Sequence, residues 1–354
     1  MKLHNHALFW LGVLAALFAF VYVFKGILLP FALGIALAYL LNPLVCRLSR
    51  LGLSRRIAAI LILGGFLVLF GVIFATLIPV IYRELVDLSQ DIPALADKVL
   101  IMAEPYVSQF QNFFGLSGHG NLTTVFHNNA QAGTQAAGHV FKGIAAGGNV
   151  ALDVISLVVF VPIVAYFMIC EWMTITQWVD DLMPRDRRDT IKDLLHQIDR
   201  KLSGFVRGQI SVAFILALGY AIALSLAGLK YGFLIGFSAG LLSIIPMLGS
   251  IVGFFAGVLA AWIQTGNDWM FIGLVAGIFI VGQLIEGNLL TPKIVGDKVG
   301  LHPLWIFFAI LAGGSLFGIL GMLLAVPVAA VASVLVAFGI RRYKKSSYYD
   351  DTQK

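Results

Sequence analysis

The chain has 354 residues, 60% of them hydrophobic and only 12% charged, with a mean hydropathy of +0.93. A soluble domain carries roughly a quarter of its residues as charges, so this composition excludes one and points to an all-α polytopic membrane protein. The formal charge of +6 sits largely in loops, where it reports topology and not a nucleic-acid footprint.

The first apolar run, Ala7–Phe24, is long enough to cross a ~30 Å hydrocarbon core. No convincing cleavage site precedes Lys25, so it reads as a retained helix and not a secretory signal. Gly26–Val45 follows, with Pro30 near its start and the turn-favouring Asn42-Pro43 near its end. The next loop carries Arg47, Arg50, Arg55 and Arg56 with no acid, which anchors it in the cytoplasm. Ile57–Val80 crosses outward. The stretch from Ile81 to Gly148 has helical periodicity in its first part (Leu85, Leu88, Leu95, Val99, Met102 and Tyr106), punctuated by Pro93 and Pro105. Its second part, Gly115–Gly148, is rich in Gly, Asn, His, Gln and Ala. By alternation the whole stretch faces the outside.

Val150–Cys170, containing Pro162, returns to the cytoplasm. In Glu171–Arg207 the residues Ile191, Leu194, Leu195, Ile198, Leu202 and Phe205 recur at helical spacing opposite a charged face, an amphipathic cytoplasmic helix. Gln209–Ala227 spans outward. Tyr231–Gln264 and Leu304–Ile340 are apolar runs too long for one ordinary span, and each is interrupted. Ile245-Pro246-Met247-Leu248-Gly249-Ser250 breaks the first; Gly313-Gly314 and Gly318–Gly321 break the second. Each reads as a helical hairpin. Between them Trp269–Glu286 crosses inward, and Arg341-Arg342-Tyr343-Lys344-Lys345 marks a cytoplasmic end. The pattern is a span plus hairpin followed by a span plus hairpin of opposite orientation. Inverted repeats with interrupted helices are a sequence pointer to a transporter binding site. The expected organisation is spans one to three in 1–80, an exterior segment in 81–148, a fourth span in 149–170, a cytoplasmic helix in 171–207, a transport core in 208–340 and a tail in 341–354, with about eight crossings or hairpins in all.

Glu286–Pro303 is the dense polar island of the C-terminal half, and its prolines and glycines predict that it cannot continue as a helix. Irregular backbone at membrane depth survives only when buried in protein or lining a water-filled cavity. Glu286, at the end of a span that also holds Gln283, is the candidate for ion or proton coupling. Asn288 offers donors and an acceptor to a polar ligand. Pro246, Gly249, Pro292, Gly296, Pro303, Gly313, Gly314, Gly318 and Gly321 are the expected hairpin tips and helix breaks. Lys293 and Lys298 read as interfacial charges.

Gly236-Phe237-Ser238-Ala239-Gly240 matches a Gly-x-Ser-x-Gly nucleophile elbow, but without a strand-turn-helix context the small residues read better as helix-packing positions. No Walker-type phosphate loop occurs. Cys46 and Cys170 form neither a disulfide framework nor a metal-ligand spacing. The expectation is no catalytic residue, no metal and no cofactor.

The pattern Asn42-Pro43, Pro184-Arg185, Ile245-Pro246…Gly249, Gly287-Asn288…Pro292…Gly296…Leu301-His302-Pro303-Leu304 and Gly313-Gly314…Gly318…Gly321…Ala325-Val326-Pro327 resembles the autoinducer-2 exporter family of bacterial permeases over nearly the whole chain. The resemblance implies a multi-pass inner-membrane protein with cytoplasmic termini, and secondary transport without ATP. It further implies export of an autoinducer-2-like small molecule, or sodium/proton antiport as in other members. The implied partners are the lipid bilayer, a small-molecule or ion substrate, and copies of the same chain, with a pentamer the expected oligomer. A passive channel, or a membrane scaffold binding a protein through Ile81–Gly148, are the alternatives that the residues leave open.

Overall fold

The computed structural model describes residues 23–113, 148–266, 268–295 and 302–344, together with residues 12, 19, 20 and 349. Every regular element among them is helical. Helix α1 is Lys25–Arg50, α2 Arg55–Phe113, α3 Gly148–Asp181, α4 Arg188–Leu226, α5 Gly232–Leu242, α6 Leu248–Thr265, α7 Trp269–Ile285 and α8 Pro303–Lys344. Among the described residues seven helices are long and apolar enough to span a bilayer, and α5 is a shorter apolar helix. In a bilayer every backbone N–H and C=O must be satisfied within the protein, which a helix does by itself. Large side chains such as Val68, Val72, Phe255, Met270 and Ile319 lie exposed, as a lipid-facing surface requires.

The helices are longer than the hydropathy alone predicts. Helix α2 runs for 59 residues, so its backbone stays helical through Pro93 and Pro105, where an interruption is expected from the sequence. The predicted cytoplasmic helix and the following span are likewise one 39-residue helix, α4. Gly115–Gly147, Gly296 and Lys298, and most of the expected first span, lie outside the described residues.

The chain divides into two compact units, residues 1–66, 156–210 and 291–354 in the first, and 67–155 and 211–290 in the second. In the first unit, Leu37, Leu41 and Val45 of α1 pack on Ala58, Ala59 and Leu63 of α2 and on Ala165 and Ile169 of α3. Small residues set the spacing: a Cβ at Gly34 would lie 2.6 Å from the Cβ of Val164, so α1 and α3 meet nearly backbone to side chain. Arg55 Nε donates to the Ile169 carbonyl at 2.8 Å and its Nη2 to Asn42 Oδ1 at 3.2 Å. Part of the basic loop that the sequence assigns to topology is therefore a structural tie.

Helix α8 in this unit is a hairpin. Gly318 has φ 61° and ψ −139°, a region essentially reserved for glycine. A Cβ at Gly313 would lie 2.9 Å from the carbonyl carbon of Gly321. Eight residues of continuous helix would separate them by about 12 Å. The chain therefore doubles back at Gly318, with Gly313, Gly314 and Gly321 as the close-packed faces of the two arms.

In the second unit α5 and α6 form the other hairpin, joined by a turn over 243–247 that holds Pro246 and Met247, the latter at φ 67°. Gly249 opens α6, and a Cβ there would lie 2.5 Å from the Ser243 backbone nitrogen. Gly236 and Gly240, one turn apart, lay α5 directly on the backbone of α4 at Tyr220–Ala221 and Ala217. Ser238, between them, is exposed, in keeping with a packing motif and not a nucleophile.

The open end of this hairpin is tied to α2. Glu84 accepts the Leu234 N–H at 2.7 Å, so a residue from another helix caps the first turn of α5. Asp91 accepts from both Lys230 Nζ and Tyr231 Oη. Gln264 accepts the Lys230 N–H at 2.7 Å and donates to the Gly228 carbonyl at 2.9 Å, which closes the hairpin's two ends on each other.

Candidate functional site

Asp268 starts α7 by accepting the N–H groups of Met270 and Phe271 at 3.1 and 3.2 Å, an N-cap that sets the helix's register. Its inward stripe is Ile272, Val275, Phe279, Gly282 and Glu286, a 3- and 4-residue spacing that carries the carboxylate to the inside of the unit. At Glu286 the winding changes. Residues Glu286–Val295 form a π-helix, and such segments concentrate at functional sites.

This corrects the expectation of a break. Pro292 lies inside the π-helix, and the span reaches Ile294. A proline lacks only one N–H, and the wider i→i+5 winding carries the chain past it without unravelling. Pro303 is the first residue of α8, where a missing N–H costs nothing because no acceptor awaits it.

Glu286 is 5% exposed. Its Oε2 accepts a hydrogen bond from Ser250 Oγ at 3.2 Å, and Ser250 is buried too. Ser250 stands in the first turn of α6, so the turn end of the hairpin delivers a hydroxyl to the C-terminal end of α7. Tyr220 of α4 completes the group. Its ring packs on Phe279 with centroids 4.9 Å apart. Its hydroxyl lies on the Ser250 side of the group, with no described atom within hydrogen-bond distance by geometry. Glycines make the convergence possible. A Cβ at Gly282, one turn before Glu286, would lie 2.6 Å from Tyr220 Cζ, and Cβ atoms at Gly253 and Gly257 would lie 2.6 and 2.7 Å from the Phe279 ring.

The three residues singled out in the sequence do not converge. Glu286 points inward, Gln283 is half-buried, and Asn288 is exposed with its Nδ2 donating to the Leu284 carbonyl at 3.0 Å. Asn288 thus secures the first turn of the π-helix. Ser250 and Tyr220, 36 and 66 positions away from Glu286, are the partners that sequence reasoning missed. The only signal was Ser250 following the Pro246–Gly249 break. Among the described residues no group of three or more His, Cys, Asp and Glu could hold a metal.

A buried carboxylate with two hydroxyls can bind and release a proton or hold a small cation, and an ionisable residue at membrane depth marks a functional path by default. The family model of the AI-2E family transporter matches residues 11–341. The chain belongs to the AI-2E transporter family. Relatives include "Putative transport protein YrrI" of Bacillus subtilis (strain 168), 31% identical over 90% of this chain and 88% of its own. "Putative permease PerM" of Escherichia coli (strain K12) is 25% identical over 92% and 91%. "Putative transport protein MT0215" of Mycobacterium tuberculosis (strain CDC 1551 / Oshkosh) is 28% identical over 91% and 86%. The protein is accordingly a multi-pass membrane transporter of a bacterial permease family.

Proposed function

We propose that this AI-2E transporter is an ion-coupled secondary exporter of a small polar solute of the autoinducer-2 type, working across the bacterial inner membrane with Glu286 as its coupling group. The observation that carries the reading is the placement of Glu286: a carboxylate buried within a span, bonded to Ser250 of the α5–α6 hairpin and opening a π-helix. An ion that neutralises this carboxylate changes the charge held between α6 and α7, and so biases how tightly the hairpin tip seats. Broken helices meeting at membrane depth are the usual place for such coupling. Sodium/proton antiport is the same chemistry with the solute omitted, and uses the same residue. The arginine-rich loop at Arg47–Arg56 and the basic Arg341–Lys344 end support cytoplasmic termini. We further propose a homopentamer, to be checked by native mass spectrometry in detergent.

The test is flux in proteoliposomes carrying wild-type or Glu286→Gln protein. Sodium and proton gradients are imposed separately while internal pH and an autoinducer-2-type solute are followed. Gradient-driven movement in the wild type, lost in a folded Glu286→Gln variant, is the expected result. Equal gradient dependence in the two proteins would remove Glu286 from the mechanism.

A further inference from the structure

We infer that Tyr220, Ser250 and Glu286 together form an oxygen-lined binding site for a small monovalent cation. The inference rests on the reading of Glu286 as the coupling group and adds to it two ligands and a class of ion.

The donor set argues for the ion. All three side chains are at least nine-tenths buried, and all present oxygen, the donor that hard cations take. The site holds one carboxylate. One negative charge compensates one positive charge, whereas a divalent ion would leave a net charge buried away from water. Ser250 donates its proton to Glu286, which leaves its lone pairs free to face a cation. Tyr220 supplies the second, independent observation. Its hydroxyl is buried on the Ser250 side of the group, and by geometry no described atom lies within hydrogen-bond distance of it. Buried hydroxyls are nearly always partnered, and a phenolic oxygen has lone pairs to offer a metal ion. The packing is built around this hydroxyl: Gly282 gives the ring its place, and Phe279 holds its face. A phenylalanine would satisfy that packing equally well, so the hydroxyl has no part in holding α4 to α7.

That last point makes the test clean. Purified protein in detergent is melted at constant ionic strength while choline chloride is exchanged for sodium chloride, with lithium and potassium chloride as comparators. A ligand that binds only the folded state raises the midpoint with its concentration. The wild type is expected to show a cation-dependent rise. Tyr220→Phe is expected to need at least tenfold more cation for the same rise. Its midpoint in choline should equal or exceed that of the wild type, because an unpartnered buried hydroxyl has been removed. Ser250→Ala should weaken the cation response in the same way, and serves if the phenylalanine variant folds poorly. A wild-type midpoint indifferent to all three cations, or a Tyr220→Phe protein with the wild-type response, overturns the site. If either occurs while gradient-driven flux still depends on Glu286, the cation site alone has failed and Glu286 carries a proton. If cation binding behaves as expected but flux ignores Glu286→Gln, the coupling reading has failed and the site stands.

Discussion

Replacing Gly236 with alanine tests the contact that seats the α5–α6 hairpin on α4. The added Cβ would lie 2.5 Å from both the Tyr220 carbonyl carbon and the Ala221 nitrogen. Non-bonded carbon atoms rest at about 3.5–4.0 Å, so α5 must withdraw by roughly 1 Å, and backbone rather than a yielding side chain is the obstacle. A gap of that size forfeits about a quarter to a half of each dispersion contact it opens. Those contacts include Phe237 against Ala217 and Ala221, all three buried. Overpacking of this kind costs about 1–3 kcal/mol, and the conformational gain of replacing a helical glycine returns roughly 0.5–1 kcal/mol of that. The net expectation is a loss of about 1–2 kcal/mol, a roughly 5- to 30-fold fall in the folding constant. Gly273→Ala is the internal control, since a Cβ there meets nothing within 4 Å and only the favourable part remains. Both variants are to be unfolded in mixed micelles of rising SDS fraction, followed by tryptophan fluorescence. A Gly236→Ala protein as stable as Gly273→Ala would refute the idea that α5 lies directly on the backbone of α4.

Gly318→Ala should destabilise the protein by about 1–3 kcal/mol through its positive φ alone, read in the same titration; an unchanged midpoint would mean that α8 does not fold back there. Arg55→Ala removes two charge-assisted hydrogen bonds and should lose roughly 1.5–3 kcal/mol, whereas Arg56→Ala, outside that tie, should be near neutral; equal effects would count against it. The hydrogen bonds from Lys230 and then Tyr231 hold the Asp91 carboxyl below the usual carboxylate range. Its contribution is therefore complete above the ordinary aspartate value and lost as pH falls through the depressed one. Melting the wild type and Asp91→Asn between pH 7 and pH 3 should show a steeper acid loss in the wild type. Parallel curves would show that the Asp91 clasp adds no stability. Lys230 is raised by the same partner, so its share persists at neutral pH and fades only as the solution turns strongly alkaline.

Much of this architecture is written in local sequence. Apolar runs of more than 30 residues cannot be single spans, and the Pro246–Gly249 and Gly313–Gly321 interruptions mark where each run turns. Glu286 stands out in the sequence as a lone acid at the end of an apolar span, and it is buried in the structure. The polar island departs from its local sequence. Prolines and glycines predict a break, yet a π-helix accommodates Pro292 while keeping the backbone wound. The uninterrupted α2 escaped for a related reason: propensity is counted residue by residue, whereas a long helix retains nearly all its hydrogen bonds. Tyr220 and Ser250 left no periodicity to find. Their convergence on Glu286 depends on the glycines of α6 and α7, whose role shows only once the helices are packed.

Glu84 has a consequence for how the protein is made. The first turn of α5 takes its cap from a residue 150 positions earlier in the chain. At synthesis rates of about 5–20 residues per second, roughly eight to thirty seconds separate Glu84 from the hairpin residue it caps. During that interval the Glu84 carboxylate has no α5 to cap, and when α5 arrives its apolar first turn has no side-chain cap of its own. The hairpin therefore settles by docking on a helix already in place, and the long α2 acts as a template for the order of assembly as well as a wall of the finished transporter.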